Sequence, residues 1–296
     1  MASTRTFVDA VGRRVQIPQN PQRLVSLVPS ITETLFCFGR GPQVVGLTDY
    51  CTEPATEVRQ KTTIGGTKNP DVGKILSLAP QLVFAVAEEN RRDDVEKLHA
   101  AGIPVYVFAP CSVREGINLL WRLAEILDCQ RTVTPLLQDI EHTYAETQAL
   151  VAKRTPLRVF CPIWKDPYMT IAAGTYIHDT LRVCGGVNIF AQRQRRFPLA
   201  ADLGQRPEAT GEQYVSRDRR YPRIALEEMA ARQPDVILLP DEPYVFSPAD
   251  IATFTPFSDV PAVRDGRILL IDGKLLSWYG ARLGRSLQTL RALLTP

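Results

Sequence analysis

The sequence predicts an α/β protein: two Rossmann-like lobes with central parallel sheets, joined by a single long helix. Three observations carry that prediction. Short apolar runs alternate with amphipathic stretches along the whole chain, one strand–helix unit recurs in both halves, and a glycine-free stretch of helical period separates them.

Strands alternating with helices imply a parallel sheet covered on both faces. Residues 24–28 (Leu-Val-Ser-Leu-Val) form the apolar run that such a buried strand needs. Pro29 ends it, and Ser30 and Glu33 have capping-box spacing, which predicts a helix through 34–38 that stops at Gly39. A strand at 44–47, a loop holding Asp49 and Tyr50, and a helix at 72–78 follow. After Pro80 comes a strand at 82–86, then a helix at 93–101 closed by Gly102 and a strand at 105–108. Trp121 falls in a helix at 119–127 and is assigned to its core.

The second half repeats this order, with a strand at 158–162, helices at 176–183 and 226–232, strands at 236–239 and 268–271, and a terminal helix at 284–294. Residues 74–84 match 228–238, with Pro80 and Pro234 in register, and Gly102 and Gly266 each lead into an apolar strand. A repeat of this size means two lobes of like topology. Between them, residues 132–153 contain no Gly and one Pro, with Leu136, Leu137, Ile140, Tyr144 and Leu150 at helical spacing. This predicts a helix of about 18 residues, roughly 27 Å long. The lobes are therefore set at 1–130 and 156–296, with the connecting helix at 131–155.

The composition is that of an ordinary soluble globular protein, and a net charge of +3 argues against a nucleic-acid partner. No stretch approaches the roughly 18 apolar residues of a membrane span. The first seven residues lack an apolar leader core, so the expected location is cytoplasmic; a trimmed leader would make it periplasmic or lipid-anchored. The six cysteines are scattered and are expected to be reduced, buried thiols. Residues 192–220 lack a period and carry seven arginines against four acids. They are expected to form a solvated flap, with a phosphate- or carboxylate-binding lip as the alternative.

Ligands of open parallel sheets bind beyond the carboxyl ends of the strands. The loops there supply Tyr50, Thr67, Lys68, Asn90 and Arg91 in the first lobe and Trp164, Tyr168, Tyr244, Trp278 and Tyr279 in the second. Aromatics converging from separate loops favour a cleft wall. Residues 88–91 (Glu-Glu-Asn-Arg) read equally as a helix start capped by Asn90 or as a polar rim for a ligand. His99, His142 and His178 fall in three separate helices, so no metal cluster is expected. Cys161 and His178 could pair, but no nucleophile elbow, phosphate loop or GxGxxG accompanies them, and the chain is read as a binding protein, not an enzyme.

Residues 23–33, 45–50, 65–70 (Gly-Gly-Thr-Lys-Asn-Pro), 88–91, 184–190 (Cys-Gly-Gly-Val-Asn-Ile-Phe) and 275–279 (Leu-Leu-Ser-Trp-Tyr) together resemble the helical-backbone class of ABC-transporter substrate-binding proteins, and within it the vitamin B12 (cobalamin)-binding branch. That resemblance implies a corrinoid or iron chelate held between the lobes, with no intrinsic cofactor, because the chelate brings its own equatorial ligands. Tyr50 matches a position that faces the corrin, and Trp164 and the Trp278-Tyr279 pair fall in the corresponding loops of lobe two. The expected contacts are Tyr50, Lys68 and Asn90 from one lobe and Trp164, Tyr168, Tyr244 and Trp278 from the other, with Lys68 or Arg91 setting orientation. The class also implies an ABC permease as partner, docked through one acid per lobe. Glu227 holds that position in lobe two, whereas Gly73 stands in lobe one with Asp71 nearby. A monomer is expected. The alternatives are an iron-siderophore or haem binder with Tyr168 or Tyr279 on iron, a soluble receptor or enzyme uncoupled from transport, and a docking protein without a small ligand.

Overall fold

The protein is described by a computed structural model that covers residues 3–209 and 211–295. Met1, Ala2, Thr210 and Pro296 lie outside it, so the expectation for the N-terminus and one position of the 192–220 stretch fall partly beyond the described residues. The chain divides into two compact units. Unit 1 takes the residues through Pro110, Arg114–Glu141 and Trp278–Leu283; unit 2 takes Cys111–Val113, His142–Ser277 and the residues from Gly284 on.

Unit 1 opens with a hairpin that the sequence reading does not foresee, β1 (Thr4–Val8) antiparallel to β2 (Arg14–Pro18). Asp9 makes its turn, with Oδ1 accepting from the amides of Val11 at 3.1 Å and Arg13 at 2.8 Å. Then come β3 (Leu24–Ser26), α1 (Pro29–Cys37), β4 (Val44–Leu47), α2 (Ala55–Val58), β5 (Thr62–Thr63), α3 (Val72–Ser77), β6 (Leu82–Val86), α4 (Arg92–Ala100), β7 (Val105–Phe108) and α5 (Val113–Ile126). The strands pair in parallel in the order β5-β4-β3-β6-β7. The helix α6 (Gln130–Val151) has 22 residues, longer than the sequence suggests; Gln130–Glu141 belongs to unit 1 and His142–Val151 to unit 2.

Unit 2 continues with β8 (Leu157–Phe160), β9 (Pro162–Trp164), β10 (Met169–Thr170), α7 (Tyr176–Val183), β11 (Gly186–Asn188), α8 (Leu199–Asp202), α9 (Glu212–Val215), α10 (Leu226–Ala231), β12 (Val236–Pro240), α11 (Pro248–Ile251), α12 (Pro261–Arg264), β13 (Ile268–Ile271), α13 (Lys274–Ser277) and α14 (Leu283–Leu293). Its parallel sheet runs β11-β8-β12-β13, and β9 with β10 forms a small antiparallel ribbon. The repeat seen in the sequence is α3–β6 in one unit and α10–β12 in the other.

An arginine fastens each copy of that repeat. Arg23 donates Nε to the carbonyls of Leu78 (3.0 Å) and Ala79 (3.2 Å), and Arg158 donates Nε to the carbonyl of Gln233 (3.1 Å) and Nη2 to that of Arg232. These carbonyls follow the last turns of α3 and α10, where no intrahelical donor is left. Ala79 (φ 43°) and Gln233 (φ 44°) sit in the left-handed region, which costs a non-glycine residue about 1 kcal/mol, so both turns need an external tie.

Four expectations are corrected. Ser30 caps nothing: α1 starts two residues earlier than a Ser30 cap would place it, with Val28 at the cap and Pro29 supplying a preset φ at the first position, and Glu33 binds Arg282 instead. Trp121 is half-buried, because its Nε1 reaches out to Glu141 Oε1 at 3.0 Å. Cys37 is exposed on the last turn of α1 and Cys111 is half-buried, although Cys51, Cys129, Cys161 and Cys184 are buried; none of the six is in a disulfide. The 192–220 stretch is anchored, not merely solvated: buried Arg193 pairs with Asp202 at 2.9 Å and Glu228 at 3.1 Å, and buried Phe197 stacks on Tyr214 at 5.4 Å.

Arg23→Ala and Arg158→Ala are each expected to lower stability by about 1 kcal/mol, since a charged donor leaves two backbone carbonyls. Urea midpoints unchanged in both variants would show the ties to be incidental.

Candidate functional site

The central parallel strands β3, β6 and β12 are buried along their lengths, and the chemistry opens at the carboxyl ends. In unit 1, Tyr50 follows β4 and is 63% exposed. Its ring lies over Gly66, where a Cβ would come 3.2 Å from Tyr50 Cε2 and 2.5 Å from Asn69 Oδ1. A side chain there would displace Asn69 Oδ1 and press on the ring. Lys68 is exposed and donates Nζ to the carbonyl of Glu88, and Arg91 is exposed at the start of α4. Thr67 is half-buried and gives its carbonyl to Asn90.

Asn90 is a structural residue. Its Oδ1 accepts from the Val86 amide at 2.8 Å, and its Nδ2 donates to the carbonyls of Leu27 (3.1 Å) and Thr67 (3.0 Å). The amide is used up joining three strand ends, and it does not cap α4, whose cap position is Arg91.

Trp278 and Tyr279 are also buried, and their segment belongs to unit 1 instead of the second lobe. The reason is a set of fitted contacts. Tyr279 donates its hydroxyl to Glu89 Oε1, Arg282 forks onto Glu33 (Nε at 2.7 Å) while lying 4.6 Å over the Trp278 ring, and the Ala281 amide donates to Thr34 Oγ1 at 3.1 Å. Gly280 passes so close that a Cβ would meet Thr34 Oγ1 at 2.6 Å and the Ser30 carbonyl at 2.8 Å. Glu89, expected at a helix start or in a polar rim, is half-buried, and burial pushes its carboxyl up to about 7 against the opposing pull of the Tyr279 hydroxyl and Lys68.

In unit 2, Trp164 ends β9, is 43% exposed, and meets Tyr244 edge-on at 5.8 Å. Tyr244 contacts Phe246 at 4.7 Å, Phe246 stacks on Tyr168 at 6.4 Å, and Tyr168 touches Phe254 at 6.1 Å. The row continues through Phe160 to Phe190. Tyr168, expected on the ligand face, is thus a core residue at 8% exposure, whereas Trp164 is the row's open end. Lys165 beside it is pinned to Asp250 at 2.6 Å, which raises the ammonium pKa and lowers that of the carboxyl. Asp250 also closes a capping box with Ser247 at the start of α11, a Ser-x-x-Asp signal that was readable in the sequence.

Burial pushes the Cys161 thiol up to about 12, so it is not an activated nucleophile. Among the described residues, no group of three or more His, Cys, Asp or Glu is placed to hold a metal ion, and no helix is long and apolar enough to cross a membrane.

The profile of a family described as periplasmic binding protein matches residues 24–275. The vitamin B12-binding protein of Photorhabdus laumondii is 24% identical over 219 residues, 74% of this chain and 70% of that protein. That of Vibrio cholerae serotype O1 is 23% identical over 232 residues, 78% and 75% of the two chains. Among solved structures, the periplasmic vitamin B12 binding protein of Vibrio cholerae superposes with a TM-score of 0.76 at 21% identity, covering 94% of this chain and 98% of its own. A periplasmic haem-binding protein in complex with two haems gives 0.73 at 24% identity, covering 92% and 97%. These likenesses establish the shared fold.

Glu89 makes stability depend on pH. Its carboxyl titrates near 7 when folded and near an ordinary 4.5 when not, so the folded state holds the proton more tightly. Stability is full at low pH and falls as pH rises through 7, by about 1–3 kcal/mol. Glu89→Gln is expected to remove this fall. Measured as the difference between wild type and variant from pH 5 to 8, a flat line would refute the assignment.

Proposed function

The chain belongs to the periplasmic binding protein family, and on that premise we propose that it is a non-catalytic receptor for a corrinoid. The observation that carries this reading is Trp164, a large ring left 43% exposed at a strand's carboxyl end and braced edge-on by Tyr244. An open aromatic face of this kind loses water when a broad apolar ligand covers it, at about 25 cal/mol per Å². Tyr50 offers a second exposed ring on unit 1, with Lys68 and Arg91 as exposed cations on the same unit to fix orientation. Relatives named as vitamin B12-binding proteins support the corrinoid reading.

An iron chelate or haem is the second reading, favoured by the haem-bound structure of the same fold. Tyr168 and Tyr279 are withdrawn as iron ligands, since both are buried and Tyr279 already binds Glu89. Tyr50 is the exposed phenol that would take that role.

We also assign Glu227 to docking on a permease. It is exposed in the first turn of α10, while the equivalent helix α3 presents Gly73 and Lys74. Docking would therefore rest on a carboxylate from unit 2 alone. Glu227→Lys is expected to abolish cobalamin-dependent growth in cells that rely on this protein for uptake, with cobalamin affinity unchanged in vitro. Undiminished growth would remove Glu227 from the docking surface.

Cyanocobalamin should leave the protein red after desalting, and Trp164→Ala should weaken its affinity about 10- to 100-fold in a visible-absorbance titration. Colourless protein that retains haem would overturn the corrinoid reading in favour of the second.

A further inference from the structure

Residues 192–223 hold eight arginines against four acids, a surplus of four positive charges in a chain whose total is +3. Asp202 is the buried hub of this segment. Its Oδ1 accepts from Arg193 Nη1 at 2.9 Å and from the Arg196 amide at 3.0 Å, and its Oδ2 accepts from the Arg223 amide at 2.7 Å. Arg195 Nε stands 3.9 Å from the same carboxylate and is buried without a hydrogen-bond partner. One carboxylate therefore serves two guanidinium groups, with a third close by. Burial and the charge of Arg195 pull the pKa of Arg223 below its ordinary value, as expected where like charges crowd. Arg217 lies against the rings of Phe197 and Tyr214, both at 5.4 Å, and makes no ion pair among the described residues.

Beside this cluster unit 2 has a cavity of about 110 Å³. Arg219, Arg220, Gln192 and Gln194 line it, over a floor that includes Ala172 and Ala173. The floor begins two residues after β10, whose ribbon partner β9 carries Trp164. Both arginines are held in place from behind. Arg219 is fixed by Glu208 at 2.7 Å and the carbonyl of Arg195 at 3.3 Å, and Arg220 by Asp218 at 2.6 Å and the carbonyl of Gly174 at 2.9 Å. Guanidinium groups held this way lose little side-chain freedom when an anion arrives. The two glutamines are exposed, and their amides add neutral donors.

We infer that this cavity receives an oxyanion carried by the ligand, either a phosphodiester or a carboxylate. The inference rests on the receptor reading and refines it. A cavity of this volume admits one such group but no macrocycle. The two guanidinium groups, each paired with one carboxylate, present N–H donors and no acceptor to the cavity, which suits an oxyanion and leaves a cationic arm without a partner. A cobalamin would present its phosphodiester here, and a haem would present a propionate.

Two ligand pairs distinguish these sources. Cobalamin is compared with cobinamide, which lacks the phosphodiester, and haem with its dimethyl ester, which lacks the carboxylates. Wild type is expected to prefer the oxyanion-bearing member of one pair by about tenfold or more, and Arg219→Gln/Arg220→Gln to lose that preference. Gln194→Glu, a change at an exposed position, places a carboxylate in the cavity and should abolish the preference in a protein whose folding is undisturbed. Equal affinities within both pairs, or a preference that survives both variants, would overturn the inference. A titration with inorganic phosphate, read on the Nε–H resonances of Arg219 and Arg220, tests the cavity apart from the receptor reading. Saturable shifts are expected whether or not a tetrapyrrole binds. Their absence overturns the cavity assignment, and failure of all four tetrapyrroles overturns the receptor reading.

Discussion

Burial of the central strands on both faces is the constraint from which the rest of the molecule follows. All five residues of β6 and all five of β12 are inaccessible to water. A strand packed on both sides can carry no ligand-facing side chain along its length, because any polar group there would need an internal partner. Polar and aromatic chemistry is thereby confined to the loops that leave the carboxyl ends, and each unit obeys this independently. Tyr50, Lys68 and Arg91 leave one sheet, and the Trp164 ribbon leaves the other.

The same constraint explains the division of labour among the aromatic side chains. Rings one step inside the loops complete the core, and the ring at the tip is left open. Tyr168 and Trp164 are four residues apart, yet one is packed between Phe246 and Phe254 and the other faces water. The buried row fixes the open ring's position, so Trp164 meets a ligand with little further loss of freedom.

How much of this was legible in the sequence depended on range. The strands at 44–47, 82–86, 105–108 and 268–271 and the helix at 176–183 were readable to the residue, because an apolar run or a helical period is a local signal. The β1–β2 hairpin was missed although Val15 and Ile17 alternate with polar neighbours, since its turn is set by Asp9 and not by an Asn-Gly or Asp-Gly pair. The arginine ties join residues about 55 and 75 positions apart, and Tyr279 reaches Glu89 across 190. No local pattern encodes such pairs. For the same reason the sequence marks Asn90, Trp278 and Tyr279 as site candidates without showing that their side chains are engaged within unit 1.

The passage of Trp278–Leu283 through unit 1 bears on any attempt to dissect the molecule. A fragment cut at the end of the first sheet would lack six residues that its own interior was shaped around. Glu89 would lose the hydroxyl beside it, Glu33 its guanidinium, and the groove over Ser30 and Thr34 would be left empty. The smallest autonomous piece containing the N-terminal sheet is therefore discontinuous in sequence, and a circularly rearranged chain that grafts 278–283 onto it is the form in which that sheet could be isolated whole.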